Sequence, residues 1–470
     1  MKAFIPILFA AALAGCAAIE PGAPAVQALD AAELGLQDGG IAWPSEQWWR
    51  RYDDAQLDEL VAEALAGSPS LSAAQARLHM ADAAVRGARA IQLPRADVNY
   101  TLTRERFSEN YIYPPPYGGS MQTDNSLQLK LGFDLDLWGR NRANYAAAVS
   151  QQAAAQADLS VARNALVSGV VQSYFNLQNA LAQHDVLQQI VKQLGNVASI
   201  TRQRVAAGLD TEAEAKQADS AVSAARVQLS QAATNAGLLR NQIAAMLGAG
   251  PARGAAIQSV ELDHAPTGLP GSIPLELLGR RPDIVAARLR AEAASSRISA
   301  AKAQFYPNVN LSAFAGFMSL GLSNLLQDGS QTYGVGPAIS LPVFHGGELN
   351  ANLSSKQAER DLAIANYNET LLTAVREVAD ACTSIQSLQQ QAADQAASLD
   401  AITSAYEIAL QRYKSGLGNF VQVLLAQNEV QRQSILNTEM RARAYKLDAQ
   451  LAAALGGGYG AAGAAAKAIP

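Results

Sequence analysis

The 470-residue sequence predicts a mixed α/β membrane protein, a doubled unit of strands and very long helices whose sheet closes only when several copies associate. Three observations carry that expectation. The first is Ser126 to Leu137, in which Leu127, Leu129, Leu131, Phe133, Leu135 and Leu137 alternate with Ser126, Gln128, Lys130, Gly132, Asp134 and Asp136. That is the period of a strand with one oily and one wet face. Its 12 residues exceed the roughly 5 to 6 of an ordinary strand, and they match the roughly 9 to 11 that a tilted strand needs to cross a bilayer. A soluble sheet buried on one face alternates in the same way, so the pattern takes its meaning from its surroundings. The second observation is a pair of proline-free stretches, 141–205 and 348–414, in which helix formers dominate. The third is that the order of elements in the first half of the chain recurs in the second.

Composition sets the bounds. Hydrophobic residues make up 49% of the chain, charged residues 16% and aromatic residues 6%, a balance that fits close-packed Ala-rich helices. A net charge of −5 and no basic stripe leave no footprint for nucleic acid. Met1-Lys2 is a short positive segment and Ala3 to Ala14 an apolar run too short to span a membrane. Leu13-Ala14-Gly15-Cys16 resembles the lipobox of bacterial lipoproteins. The resemblance implies that residues 1–15 are a signal peptide, and that Cys16 carries a thioether-linked diacylglycerol and an N-acyl chain such as palmitate. Ala17, in place of an acidic residue, fits export to the outer membrane. No other cofactor is expected. The second of the two cysteines, Cys382, falls on a helical seam and reads as a small buried hydrophobe. No apolar run of 18 residues follows the signal, so a membrane-spanning part has to be a barrel.

Residues 16–45, with Pro21, Pro24 and Pro44, read as an extended tether. The first repeat, 46–247, opens with Trp48-Trp49 and a helix bearing Leu57, Leu60, Val61 and Leu65. A second helix runs from Pro69 to about Leu93, where Pro94 ends it. Strands are expected at about 97–107 and 126–137, joined by the Tyr-, Pro- and Gly-rich loop 108–123. The long helix 141–205 would make a rod of about 98 Å, and Leu159, Leu166, Leu187 and Leu194 share one seven-residue register on it. Gly208 suits the left-handed position that ends a helix. Thr211 with Glu214 forms a capping box that starts a return helix, 212–247.

A Gly- and Pro-rich linker, 248–272, leads to the second repeat, 273–455. Pro282 to Pro307 has the 25-residue spacing of Pro69 to Pro94. Arg281-Pro282-Asp283 reads as a helix start with structural ion pairs. Strands follow at about 308–317 and 333–343, then the long helix 348–414. Along it Ile364, Leu371, Val378, Ile385, Ala392, Leu399, Tyr406 and Tyr413 recur every seven residues. The turn Arg412 to Asn419 lies 208 residues after Arg204 to Thr211, a return helix occupies 419–455, and 456–470 is a flexible tail. The return helix is too short to flank the rod alone, so the Pro-initiated helix is expected to stack on its end. Four strands close no barrel, because small ones need about 8.

Trp48-Trp49, Phe133-Asp-Leu-Asp-Leu-Trp138-Gly139-Arg140, Leu277-Leu278-Gly279-Arg280-Arg281-Pro282-Asp283-Ile284, Phe305-Tyr306-Pro307 and Ala454-Leu455-Gly456-Gly457-Gly458 stand in an order that resembles the TolC family of outer-membrane efflux ducts. The NodT-type, OprM-like lipoprotein branch is nearer still. The resemblance spans nearly the whole mature chain. It implies a homotrimer with a 12-stranded outer-membrane barrel, four strands per chain, continued by a periplasmic helical barrel and carrying an internal two-fold repeat. It also implies a passive duct that exports drugs and other toxic small molecules. The partners implied are a periplasmic adaptor (membrane fusion protein), an inner-membrane transporter of RND or MFS type, and outer-membrane lipid. By the same resemblance the adaptor docks on the tips, Arg204, Gly208, Leu209, Arg412, Gly416 and Leu417. The family's acidic aperture ring is absent at Gln422 and Leu425, and Glu214 is the candidate to replace it, against a purely capping role. An enzyme is disfavoured, since His79, His184, His264 and His345 are isolated and no phosphate loop or nucleophile motif is present. A lipid-anchored coiled-coil scaffold without a pore explains the rods and leaves the strands without a role.

Overall fold

The computed structural model describes residues 25–29, 43–262 and 277–460. The signal peptide, Cys16, most of the tether, the end of the linker and residues 461–470 lie outside the described residues.

A 3-10 turn, Trp48–Tyr52, leads into α1, Ala55–Gly67, whose N-cap Asp54 accepts from the amides of Gln56 and Leu57 at 2.9 and 3.1 Å. Helix α2, Pro69–Ala90, follows with proline in its first turn, where a missing N–H costs nothing. The antiparallel pair β1, Arg95–Arg106, and β2, Met121–Asp134, leads into α3, Arg140–Ala206. Helix α4, Glu212–Met246, returns, and a short α5, Pro251–Ala255, lies within the expected linker. In the second half come α6, Leu277–Arg280, and α7, Pro282–Ala303. The strands β3, Asn308–Leu320, and β4, Gln331–Ser340, follow, then α8, Glu348–Lys414, and α9, Phe420–Ala454.

The sheet order is β1-β2-β3-β4, every neighbour antiparallel. Register aligns the oily positions across all four strands. Val98 stands opposite Leu129, Leu129 opposite Ala315 and Ala315 opposite Tyr333, so one apolar face runs unbroken. The helices keep the same lateral order. Stacked α2 and α4 flank α3 on one side, stacked α7 and α9 flank it on the other, and α8 packs beyond them. Both lateral edges of this slab lack a neighbour among the described residues.

Strand ends differ from the sequence reading. β2 stops at Asp134, three residues before 137, because Leu135 to Gly139 form the turn into α3. There Asp134 accepts from the amide of Asp136 at 2.9 Å. Asp136, at φ 44°, in turn accepts from the amides of Asn141 and Arg142 at 2.8 and 2.9 Å. The carboxylates cap the rod, so Leu135 and Leu137 continue the alternation without continuing the strand. At its other end β2 begins at Met121, five residues before 126, because β1 pairs with it as far as Arg106 opposite Met121. β1 starts at Arg95 and ends at Arg106 rather than spanning 97–107, and β3 extends to Leu320 beyond 317. β4 runs 331–340 rather than 333–343, since Pro342 follows it.

The seam on α8 also departs from a strict seven-residue repeat. Ala392 is exposed and Gln395 is buried in its place, donating to the carbonyl of Gln433 at 2.9 Å. Cys382 is half-buried beside Val378 and Leu447.

End-to-end stacking is built on close backbone contacts. A side chain at Gly248, just past α4, would collide with the carbonyl of Gly67, the last residue of α1, two positions before α2. Gly456, just past α9, meets the carbonyl of Arg280, the last residue of α6, two positions before α7, in the same way. Arg281, 9% exposed in its side chain, clamps the second joint. It pairs with Asp283 at 2.6 Å and Glu377 at 2.7 Å, and donates to the Ala454 carbonyl at 3.0 Å. Outside α3, the side chains Trp48, Trp49, Leu57 and Leu60 form a core with Val170, Tyr174, Phe175 and Ala449.

Candidate duct wall and helical tips

The two faces of the sheet have opposite chemistry. On one lie Val98, Tyr100, Leu129, Leu131, Val335 and Ile339, all exposed; on the other lie Asp97, Asn99, Gln128, Lys130, Asn310 and Thr332. Within β2 six residues separate Leu127 from Phe133, which at about 3.3 Å each and a tilt of about 40° rise roughly 15 Å, within the roughly 25 Å band of a barrel in lipid. At the helix end of the sheet Trp138 stacks on Tyr306 at 4.7 Å and donates to the Pro307 carbonyl at 2.8 Å. Aromatic rings with a polar handle are placed this way at a membrane surface. Phe314 and Met318 stand on the wet face among polar residues, which strand alternation alone did not reveal. Among the described residues no helix is long and apolar enough to cross a membrane.

At the far end of the rods the chain makes two equivalent tips. Each closes with the same pair of bonds: Leu209 to Arg204 and Gly208 to Val205, then Leu417 to Arg412 and Gly416 to Tyr413, at 2.9 to 3.1 Å. Gly208 and Gly416 take φ of 70° and 76°, the left-handed conformation that this cap requires. Leu209 and Leu417 project from the tips, 65% and 73% exposed.

Arg204 is not one of the projecting residues. Its guanidinium pairs with Asp210 at 2.8 and 3.1 Å, donates to the Tyr413 carbonyl at 3.0 Å and lies 4.6 Å from the Tyr413 ring centre. The Tyr413 hydroxyl donates to Asp210 and lies 3.1 Å from Thr201 Oγ1. One buried staple therefore ties the first tip to the second. The Arg204 bond holds the Asp210 carboxyl below its ordinary range, and burial together with Asp210 pushes the Tyr413 hydroxyl up. Arg412 is exposed and donates to the Leu417 carbonyl at 3.3 Å.

Glu214 accepts from the Thr211 amide at 2.6 Å and the Thr211 hydroxyl at 2.5 Å, and the hydroxyl bond lowers its carboxyl. Gln422 holds the matching place on α9. Its amide is capped by Asn419 at 3.0 Å, and its side chain is exposed, as is that of Leu425. The staple residues Asp210 and Tyr413 were not singled out from sequence. An arginine one turn before a helix end with an aspartate just past it was the available signal. Among the described residues no group of His, Cys, Asp and Glu is placed to hold a metal.

Comparison with known proteins agrees with this architecture. The family described as outer membrane efflux protein matches residues 60–249 and 273–457, one match for each repeat. The fusaric acid resistance protein FusA of Burkholderia cepacia is 36% identical over 356 residues, covering 74% of this chain and 67% of that protein. The multidrug resistance outer membrane protein MdtP of Escherichia coli K12 is 31% identical over 459 residues, 95% and 94% of the two chains. Among solved structures, the outer membrane protein VceC of Vibrio cholerae superposes with a TM-score of 0.84 at 36% identity, covering 89% of this chain and 100% of that one. The CmeC outer membrane channel of Campylobacter jejuni shares the fold at a TM-score of 0.87 and 24% identity, covering 95% and 96%. With both halves matched and the sheet and rods in the same order, the chain belongs to the outer membrane efflux protein family and is an outer-membrane channel protein, not an enzyme.

Proposed function

We propose that three copies close into one duct, a passive path for small molecules driven by an inner-membrane transporter and delivered through a periplasmic adaptor. The observation that carries this reading is the pair of open lateral edges on a sheet whose oily face spans all four strands. Two copies would give about 8 strands, a barrel whose interior side chains fill it, whereas 12 leave a lumen. The relatives named for fusaric acid resistance and multidrug resistance support a cargo of small toxic organic molecules.

The adaptor is assigned to the tips, with Leu209 and Leu417 as the contacts and the Arg204 staple as their support. An acidic ring supplied by Glu214 in place of the one absent at Gln422 and Leu425 would need its carboxylate released from Thr211. The lipid anchor rests on reach. Residues 25–29 run along α8, with Leu29 bonded to Asn368 and Ala25 to Asp361, so the chain climbs toward the barrel as it nears its start. Asp361 lies 13 residues, about 20 Å, from Glu348 at the foot of the barrel. The nine residues back to Cys16 extend up to about 30 Å, enough to reach the inner leaflet.

The test is the mass and conductance of the purified protein. A particle of three chains that conducts in a planar bilayer is expected, and a non-conducting monomer would sink the reading. Changing Leu209 and Leu417 to Asp should weaken adaptor capture at least tenfold while leaving conductance intact.

A further inference from the structure

The outward face of the sheet changes character at one height. The row Tyr100, Leu127, Phe317, Gln331 is the last in which apolar side chains predominate. The next row reads Leu102, Asn125, Ser319, and the one beyond it Arg104, Thr123. Asn125 is fully buried and bonded by the Tyr100 hydroxyl at 3.2 Å, which seals the edge of the oil. The strand carboxylates all lie on one face, together with Arg95 and Lys130. Asp97, Glu105, Asp124 and Asp134 all point to the wet side, and the outward charges are Arg104 and Arg106. Both are at the hairpin end, away from the rods. Arg106 is engaged by Glu109 at 2.9 Å and the Gly119 carbonyl at 3.1 Å. Arg104 is exposed and has no hydrogen-bond or ion-pair partner among the described residues.

We propose that Arg104 docks the phosphate-bearing headgroups of outer-leaflet lipid. This rests on the reading of the sheet as a barrel wall with its hairpins outward. A guanidinium fork held just beyond the oily band, on a face that offers no carboxylate from the strands, matches a phosphate at the same depth. Tyr100, 52% exposed in the last oily row of the same face, adds an aromatic at that boundary. Three copies would place three such arginines around the rim and favour anionic lipid there over zwitterionic lipid.

The test uses the full-length assembly in phosphatidylcholine nanodiscs doped with bisphosphorylated lipid A or its dephosphorylated form, with retained lipid counted by native mass spectrometry. The wild type should retain the phosphorylated form about fivefold better, the equivalent of about 1 kcal/mol per site. Arg104→Gln should remove that preference and Arg104→Lys should keep most of it. Equal retention of the two lipids by the wild type overturns the proposal and needs no variant. Competition by inorganic phosphate at matched concentration would make this a free-anion site and overturns it as well. Conductance of the same preparations reads the duct separately, so an intact channel without lipid preference defeats this inference alone.

Discussion

Asp210 shows how much of the tip depends on one carboxylate. Arg204 holds it below its ordinary value, so its stabilising contribution is whole at neutral pH. The contribution declines as pH falls below the ordinary Asp value near 4, and it is gone below the depressed value of the folded state. Hydrogen-exchange protection factors across residues 201–213, taken relative to the intrinsic exchange rate at each pH, should therefore fall in acid. Asp210→Asn should show the lower protection already at neutral pH, with the acid dependence removed. Tyr413→Phe deletes one partner of a buried network and should cost about 1 to 3 kcal/mol in the same segment. The sequence showed the turn at Gly208 and Gly416 plainly, because a left-handed cap needs glycine. It did not show the staple, since Tyr413 stands 203 residues from Asp210 and nothing local couples them.

The elements make their own predictions, beginning with the sheet. Leu129 and Gln128 are adjacent in β2 and face opposite ways. Leu129→Arg on the oily face should destabilise the assembled barrel by about 2 to 4 kcal/mol, while Gln128→Arg on the wet face leaves folding unchanged and shifts ion selectivity. Refolding into lipid vesicles and bilayer recordings separate the two. At the joint of α7 and α9, Arg281→Ala leaves Asp283, Glu377 and the Ala454 carbonyl without their common partner. A loss of about 3 to 5 kcal/mol is expected, read as a lower thermal midpoint. The strand periods and the Pro-initiated helices were legible because period and proline are local signals. Their ends were not, since Asp134 and Asp136 stop β2 by capping a helix rather than by breaking an alternation.

At the scale of the molecule, the slab is a wall segment. Its rods are about 100 Å long, its strands and helices keep one lateral order, and its core lies between helices and not inside a globule. Such a wall is satisfied by closing on itself through further copies. A lipid anchor at Cys16, as proposed, would then be secondary to the oily band in holding the assembly in the membrane. Cys16→Ser should weaken targeting, yet protein reconstituted from it should conduct as the wild type does. If conductance is lost with the acyl chains, the band alone does not seat the barrel.

What the sequence determined by itself is the doubled plan: two strands and one long rod per repeat, a glycine-capped tip on each, and an oily face that one chain cannot close. Those features follow from residue period, proline and glycine, each acting within a few positions of its neighbours. Tertiary structure decided the rest. It set the register that aligns four oily faces into one, and the butted joints at Gly248 and Gly456. It also brought Arg204, Asp210 and Tyr413 together at the tips. Most of these contacts join segments far apart in the chain, and their energy depends on where the backbone places groups that carry no mark of each other in the sequence.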